Sequence, residues 1–149
     1  MKQFSSIIFG LVLVSAGFMI QGHTPRGGDH YRIFVNDRLV LEQFVTMPVE
    51  KKNLSLASFS ESDKMVIHYS HCGKVGKERV ISVKDREGKI LKQWKFPDSR
   101  QSGMQLVIKD VMQAARKNSS AGLYYSSKEL FPGLLLTNVN AGSSKTAKL

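Results

Sequence analysis

Residues that form covalent or metal cross-links are scarce in this sequence. Its 149 residues include one cysteine, Cys72, and neither histidine nor cysteine follows it. One cysteine cannot form an internal disulfide, and a structural zinc site needs three or four ligands with close spacing. We therefore expect one domain that is stabilised by its hydrophobic core, without a cofactor.

The short motifs of common enzyme classes are also absent. The sequence has no G-x-S-x-G, no P-loop and no H-E-x-x-H. Many acidic residues lie beside predicted turns, as Asp37, Asp63 and Asp85 do, which is typical of solvated positions. A pair of catalytic carboxylates needs only to meet in space, so a glycosidase-type pair is left open. An enzyme is not the preferred hypothesis.

No apolar run reaches the roughly 20 residues that a typical membrane-spanning helix needs. The best run, residues 4–20, contains three serines. Its layout is that of a secretory signal peptide: Lys2, an apolar stretch over residues 7–14, then small residues. We predict a signal peptide over residues 1–22. Cleavage after Ala16 and after Gly22 are both acceptable, and an uncleaved anchor is the alternative.

The predicted export suggests where the protein works. Cleavage at Gly22 would remove one lysine and no acid, so the formal charge would change from +10 to +9. Export without disulfides is common in a bacterial envelope and unusual for small extracellular scaffolds. We therefore expect a periplasmic or cell-surface protein. Residues 23–29 are predicted to be a flexible leader, and residues 140–149 a disordered basic tail.

Residues 30–139 are predicted to form one all-β domain. Short runs bounded by turn-forming residues favour a single antiparallel β-sandwich of jelly-roll type, with an open barrel as the alternative. About seven to nine short strands are expected, eight of them over residues 31–35, 39–45, 54–59, 65–70, 79–84, 89–96, 122–126 and 134–139. Asn36-Asp37 predicts a hairpin turn. The segment DVMQAARK, residues 110–117, predicts one short helix.

The predicted turn DREG, which follows Lys84, permits two hairpin registers. A three-residue loop would pair Val83 with Leu91, whereas a four-residue loop would shift every pair by one residue. A one-residue slip exchanges the two faces of a strand, so the register decides which side chains are buried. We prefer the three-residue loop, because it keeps Lys92 away from the face that holds Ile81 and Val83.

The segment HYSHCGK, residues 68–74, places a possible nucleophile close to possible metal ligands. In a regular strand His71 and Cys72 point to opposite faces, and His68 is about 13 Å from Cys72. A catalytic Cys/His pair, or a His-metal centre at His68, His71 and Cys72, is therefore an alternative. We prefer an inert thiol where a strand runs into a glycine turn, with Tyr69 on the face opposite His68.

Positive charge is concentrated between residues 74 and 95, where eight basic residues accompany three acidic ones. A basic hairpin of this kind can bind anionic glycans, lipid head groups or an acidic protein. The alternative is that these lysines only keep the protein soluble and prevent its edge strands from pairing with other chains. The candidate binding residues are Lys74, Lys77, Arg79, Lys84, Lys89, Lys92 and Lys95.

These features favour a small exported β-sandwich that binds an anionic envelope polymer or an acidic protein and has no catalytic role. A structural subunit that pairs through a sheet edge is a further alternative. A nucleic-acid partner is not expected, because the sequence shows no recognition helix and no obvious set of stacking aromatic residues. No spanning helix is expected in the mature chain.

Overall fold

The computed structural model describes residues 28–45, 51–116 and 121–142. The predicted signal peptide, residues 23–27 of the predicted leader and residues 143–149 of the predicted tail lie outside these ranges. The described residues form two β-sheets and one helix, so the all-β prediction is confirmed. The elements are β1 (His30–Val35), β2 (Arg38–Phe44), β3 (Asn53–Ser55), β4 (Lys64–Ser70), β5 (Arg79–Lys84), β6 (Ile90–Phe96), β7 (Met104–Val107), α1 (Ile108–Arg116), β8 (Ala121–Ser127) and β9 (Leu130–Asn140).

One sheet has four strands in the order β2–β1–β4–β7, and its ladders are antiparallel. The β1–β2 hairpin turns through Asn36 and Asp37, whose φ angles are +46° and +63°. Asparagine and aspartate tolerate this left-handed conformation better than most residues with a side chain. The hairpin predicted at this pair is therefore confirmed, and β1 becomes an interior strand between β2 and β4.

The other sheet has five strands in the order β3–β9–β8–β5–β6. Its β3–β9 ladder is parallel, so the expectation of a wholly antiparallel fold is wrong at this pair. The strand predicted over residues 54–59 is also shorter than expected. It ends at Ser55, and a turn follows at residues 57–58 before the chain crosses to the four-stranded sheet.

One hydrophobic cluster joins side chains of both sheets and of α1. The odd-numbered residues of β1 and β4 point into this cluster, because alternate residues of a strand face opposite sides. Tyr31 is fully buried, and its hydroxyl donates to the Leu136 carbonyl of the five-stranded sheet. The two sheets thus enclose a common core, while the jelly-roll connectivity stays a prediction. The even-numbered residues of β1 and β4 point away from the core.

Strand β7 is not predicted by the sequence analysis. Its four residues alternate between buried and exposed, with Met104 and Leu106 in the core, but so short a run has a weak periodic signal. Helix α1 follows directly and begins at Ile108, two residues before the predicted start. It buries Val111 and Met112, so the prediction of one short helix in this region is confirmed.

The β5–β6 ladder has neither of the two registers considered from the sequence. Val83 lies opposite Lys92, with a bulge at the next position, and Ile81 lies opposite Trp94. Lys92 therefore shares the core-facing side with Val83, contrary to the preferred register. A lysine is tolerated there because its long stem can be covered while its charged end stays at the edge. The Lys92 ammonium reaches Asp110 of α1 at 3.0 Å.

Candidate functional site

The outward face of β1 and β4 carries cationic side chains on directly opposite residues. His30 is paired with Ser70, and Arg32 is paired with His68. Opposite residues of an antiparallel ladder share a face, with Cβ atoms about 5 Å apart. Arg32 and His68 therefore project side by side from the outward face of the sheet.

A groove of about 270 Å³ opens on this face, and we call it the cationic groove. Two arginines and two histidines line it, with no carboxylate among the lining residues. Glu42 of β2 lies directly opposite Arg32 and therefore shares its outward face, although it is not one of the lining residues. Asp29 directs its carboxylate toward Tyr69 and His71 on the core side. The residues of the cationic groove are His30, Arg32, His68, Tyr69, Ser70, Arg100 and Gln101.

Aromatic rings orient the cationic groups of β1 and β4. The Arg32 guanidinium carbon lies 5.7 Å from the centroid of the Phe34 ring. The His68 ring meets the same phenyl ring edge to face, with centroids 5.6 Å apart. His30 stacks on Phe44 with a centroid separation of 5.5 Å. A cation–π contact at an exposed site contributes only about 0.5–1 kcal/mol, so these contacts set direction more than stability.

The loop over residues 97–103 supplies the third side of the cationic groove, and a buried arginine holds it. Arg79 Nε donates to the Pro97 carbonyl and Nη1 donates to the Ser102 carbonyl, both at 2.7 Å. Arg79 is only 2% exposed. The structure therefore removes Arg79 from the predicted binding surface, because its guanidinium is enclosed and serves backbone carbonyls. Its position makes it a support of the groove wall.

His68 is the residue of HYSHCGK that brings an imidazole to the cationic groove, which Tyr69 and Ser70 also line. Its Nδ1 lies 3.0 Å from the Gln101 carbonyl oxygen, and a carbonyl only accepts, so Nδ1 carries a proton. Nε2 is then an acceptor in the neutral ring and a second donor in the protonated ring. Gly103 allows the close approach of the loop. A Cβ at Gly103 would lie 2.5 Å from Val66 Cγ1 and 3.0 Å from His68 Cε1.

The remaining predicted binding residues lie on and around the β5–β6 hairpin of the other sheet. They are spread over both ends of a ladder that is roughly 20 Å long. Acidic residues are interspersed with them, and one of these, Glu129, accepts a hydrogen bond from the Lys77 backbone at 2.9 Å. That hydrogen bond lowers the pKa of Glu129 below its ordinary value. The predicted lysines that are exposed are Lys74, Lys77, Lys89 and Lys95. The acids near them in sequence or by contact are Glu78, Asp85, Glu87, Asp98 and Glu129.

Two other predicted lysines make contacts within the protein. Lys92 pairs with Asp110, and its ammonium lies 5.4 Å from the Trp94 ring centroid. The Lys84 ammonium lies 4.8 Å from the centroid of the Tyr124 ring. The predicted basic hairpin is therefore a surface of mixed charge, whereas the lining of the cationic groove is of one sign.

The reactive residues of HYSHCGK lie in three different environments. His68 faces the cationic groove, His71 is 4% exposed on the core side, and Cys72 is exposed at a turn. Cys72 and Gly73 have φ angles of +51° and +86°, and Lys74 N donates to the His71 carbonyl at 3.1 Å. Over the described ranges, no three His, Cys, Asp or Glu residues are placed to hold a metal ion. The proposed ligands are thus not brought together.

A hydrogen-bonded cluster lies on the core side of the same strands. The Tyr69 hydroxyl donates to Asp29 Oδ2 at 3.0 Å, and the same oxygen lies 3.3 Å from His71 Nδ1. His71 Nε2 lies 2.8 Å from the Tyr125 hydroxyl of β8. Burial, with the nearby Asp29 charge, raises the pKa of Tyr69, and burial raises the pKa of Tyr125 to about 12. The expected placement of Tyr69 opposite His68 is confirmed, and the cluster links the two sheets.

Ser127 gives this cluster the connectivity of a serine–histidine–aspartate triad. Its Oγ lies 3.2 Å from His71 Nε2, and Asp29 contacts the other ring nitrogen. Burial opposes a catalytic role, because Ser127 and His71 are 6% and 4% exposed and a substrate carbonyl must reach the serine oxygen. The Tyr125 hydroxyl is also closer to Nε2. We interpret the cluster as a structural link between the sheets.

Most of the cationic groove was not predicted from the sequence. His30, Arg32 and His68 alternate with core residues, and that alternation could have placed them on outward faces. No sequence signal shows that β1 pairs with β4, which is what brings Arg32 beside His68. Arg100 belongs to a loop whose position depends on contacts made by buried Arg79.

Comparison of the chain with protein-family models, with curated proteins and with solved structures finds no match. The class of the protein therefore follows from its own structure, an all-β protein of two sheets with a cationic groove on one of them. Within residues 28–45, 51–116 and 121–142, no helix has the length and apolar character that crossing a bilayer requires.

Proposed function

We propose that this protein is a binding protein that holds an anionic group in the cationic groove. The observation that supports the proposal is the meeting of two arginines and two histidines in one groove whose lining has no carboxylate. Arginine presents a planar set of donors that matches the oxygens of carboxylate or phosphate.

The predicted signal peptide gives this proposal its setting. An exported protein of a bacterial envelope meets anionic glycans, lipid head groups and acidic proteins, and all of these carry carboxylate, phosphate or sulfate groups. We propose an accessory or binding role in the envelope, with no catalytic step. The cationic groove replaces the lysines of the β5–β6 hairpin as the preferred site, because acids are interspersed among those lysines.

Titration of the folded protein with methyl phosphate, followed by amide NMR, tests the proposal. We expect saturable shifts of β1, β4 and the loop over residues 97–103, with weak affinity because one small anion makes few contacts. Arg32→Gln and Arg100→Gln should each weaken binding about tenfold, since a hydrogen bond to a charged group contributes about 1.5–3 kcal/mol.

Arg86→Gln is the matched control, because Arg86 is an exposed arginine in the β5–β6 turn of the other sheet. It should leave the dissociation constant unchanged. Equal weakening by Arg86→Gln and Arg32→Gln would mean that methyl phosphate responds to overall charge, and the proposed site would then be rejected.

A further inference from the structure

The outward face of the four-stranded sheet continues from the cationic groove into an apolar surface. Phe34 follows Arg32 along the same face of β1, and Leu39 of β2 and Val66 of β4 lie directly opposite Phe34. Val107 of β7 lies one row further from the groove, directly opposite Lys64 of β4. Successive rows on one face are about 7 Å apart. We call Phe34, Leu39, Val66 and Val107 the apolar strip.

The apolar strip is open to solvent beside a charged groove. Leu39 is 46% exposed and Val107 is 40% exposed, while Phe34 and Val66 are half-buried. Three of the five large apolar side chains that are most exposed in the described residues lie on this one sheet. A single exposed apolar residue needs no explanation, but Leu39 adjoins half-buried Phe34 and Val66 in one row, and a contiguous apolar patch indicates a binding surface. The five are Leu39, Phe44, Ile90, Val107 and Phe131.

Phe34 joins the two parts of this surface. Its ring contacts both Arg32 and His68 of the cationic groove, and its cross-strand neighbours are Leu39 and Val66 of the apolar strip. A ligand whose anionic group occupies the groove therefore has its next atoms over an apolar surface. A bare inorganic anion would leave that surface in water.

We propose that the ligand is an amphiphilic oxyanion, a single-chain molecule with a phosphate or carboxylate head and an apolar body. This inference rests on the proposed function, because the head occupies the cationic groove. The head accepts hydrogen bonds from Arg32 and Arg100, and the apolar body lies over Phe34 and its cross-strand neighbours Leu39 and Val66. The head is assigned to the groove because its negative charge complements the two arginines, and the body is inferred to be apolar because the adjoining surface is apolar and exposed.

The size of the expected effect follows from hydrophobic transfer. Complete removal of one methylene group from water strengthens association about fourfold. An open face covers only part of the chain, so a gain of about twofold for each methylene is expected. Hexyl phosphate, which has four methylenes more than ethyl phosphate, should therefore bind at least about tenfold more tightly.

Calorimetric titration with ethyl, butyl and hexyl phosphate, each below its aggregation concentration, tests the inference. We expect affinity to rise along the series. Leu39→Ser, which changes the row next to Arg32, should weaken hexyl phosphate severalfold and leave ethyl phosphate unchanged. Ile90→Ser is the matched control, because Ile90 is 51% exposed on β6 of the other sheet, and it should alter neither ligand.

The outcomes separate this inference from the proposed function. Equal affinity along the series, with binding still lost in Arg32→Gln, would overturn the amphiphilic ligand and retain the anion site. Binding that is absent for every ligand, or that ignores Arg32→Gln, would overturn both. A protein mass by light scattering that falls in Leu39→Ser would assign the apolar strip to self-association and would also overturn the inference.

Discussion

Neighbouring residues of β1 and β4 have opposite environments, because the side chains of a strand alternate between its two faces. His68 lines the cationic groove, whereas His71 belongs to the buried cluster. Tyr69 is among the lining residues of the groove, while its hydroxyl donates to Asp29 in the buried cluster. Asp29 likewise points inward while His30 points outward. The groove and the buried cluster thus lie back to back on the same two strands, and a change in one strand acts on both.

Arg79 gives a prediction at the residue scale. The sequence predicts a surface cation, whereas the structure places Arg79 in the interior, where it holds the loop over residues 97–103. Arg79→Met should lower the free energy of unfolding by about 2–4 kcal/mol, since it removes two hydrogen bonds from a charged donor to partly buried backbone carbonyls. Urea denaturation followed by circular dichroism measures this. Arg79→Met should also weaken methyl phosphate binding in the fraction that remains folded, because the loop that carries Arg100 loses its anchor.

Arg86→Met is the control for this prediction. Arg86 is exposed, so the same substitution there should change the free energy of unfolding by less than about 0.5 kcal/mol. If both variants lowered the free energy of unfolding by similar amounts, Arg79 would not have the buried role described. The position of the loop over residues 97–103 would then not depend on Arg79.

At the scale of elements, Lys92 shows why strand register matters. The bulge in the β5–β6 ladder turns Lys92 toward α1, where it meets Asp110. Lys92→Glu should destabilise the protein by about 1 kcal/mol, because two acids would then face each other at a partly exposed position. The exchanged double variant, Lys92→Glu with Asp110→Lys, should recover most of the loss in thermal or urea unfolding.

Lys89→Glu provides the comparison, since Lys89 is exposed in the turn. It should have almost no effect on the midpoint of unfolding. If Lys89→Glu costs as much as Lys92→Glu, or if the double variant recovers nothing, the register of this hairpin is not the one described.

Elements with strong local signals could be predicted, and pairings could not. Asn36-Asp37 fixes a hairpin through its own backbone preferences, and residues 110–117 favour a helix by composition. The predicted β5–β6 register was wrong, because neither of the two loops predicted from the sequence includes the bulge that places Val83 opposite Lys92. The cationic groove could not be predicted because it requires two long-range contacts. One is the β1–β4 pairing, and the other is the set of hydrogen bonds by which buried Arg79 holds the loop over residues 97–103.

At the scale of the whole molecule, buried tyrosines tie the two sheets together. The ring of Tyr69 stacks between those of Tyr31 and Tyr125, with centroids 6.2 and 4.2 Å away. Tyr31 and Tyr69 belong to the four-stranded sheet and Tyr125 to the five-stranded sheet. Ionisation of these hydroxyls would place charge in the common core, so the fold is coupled to tyrosine ionisation.

Alkaline pH should therefore unfold the protein. Burial raises the pKa of Tyr31 and of Tyr125 to about 12, against about 10 for tyrosine in an unfolded chain. Between these values the unfolded chain releases protons that the folded protein keeps, so the free energy of unfolding falls as pH rises. The stabilisation that comes from keeping these two tyrosines protonated is fully present below a pH of about 10. It is lost as the pH rises to about 12.

Tyrosinate absorbance and circular dichroism, recorded on the same samples, measure this coupling. We expect ionisation of the core tyrosines to coincide with loss of the β-sheet signal. Full tyrosine ionisation near a pH of about 10 with the sheet signal intact would contradict the buried placement of these rings.

The central claim, that the cationic groove binds an anion, is tested most directly at the histidine rings. Nitrogen-15 spectra of the imidazoles should be recorded near neutral pH during titration with methyl phosphate. The account predicts saturable shifts of the His30 and His68 rings, which line the groove. The His71 ring, which is buried directly after β4, should stay unchanged as an internal control. Unchanged His30 and His68 rings, or equal shifts of all three, would contradict the claim.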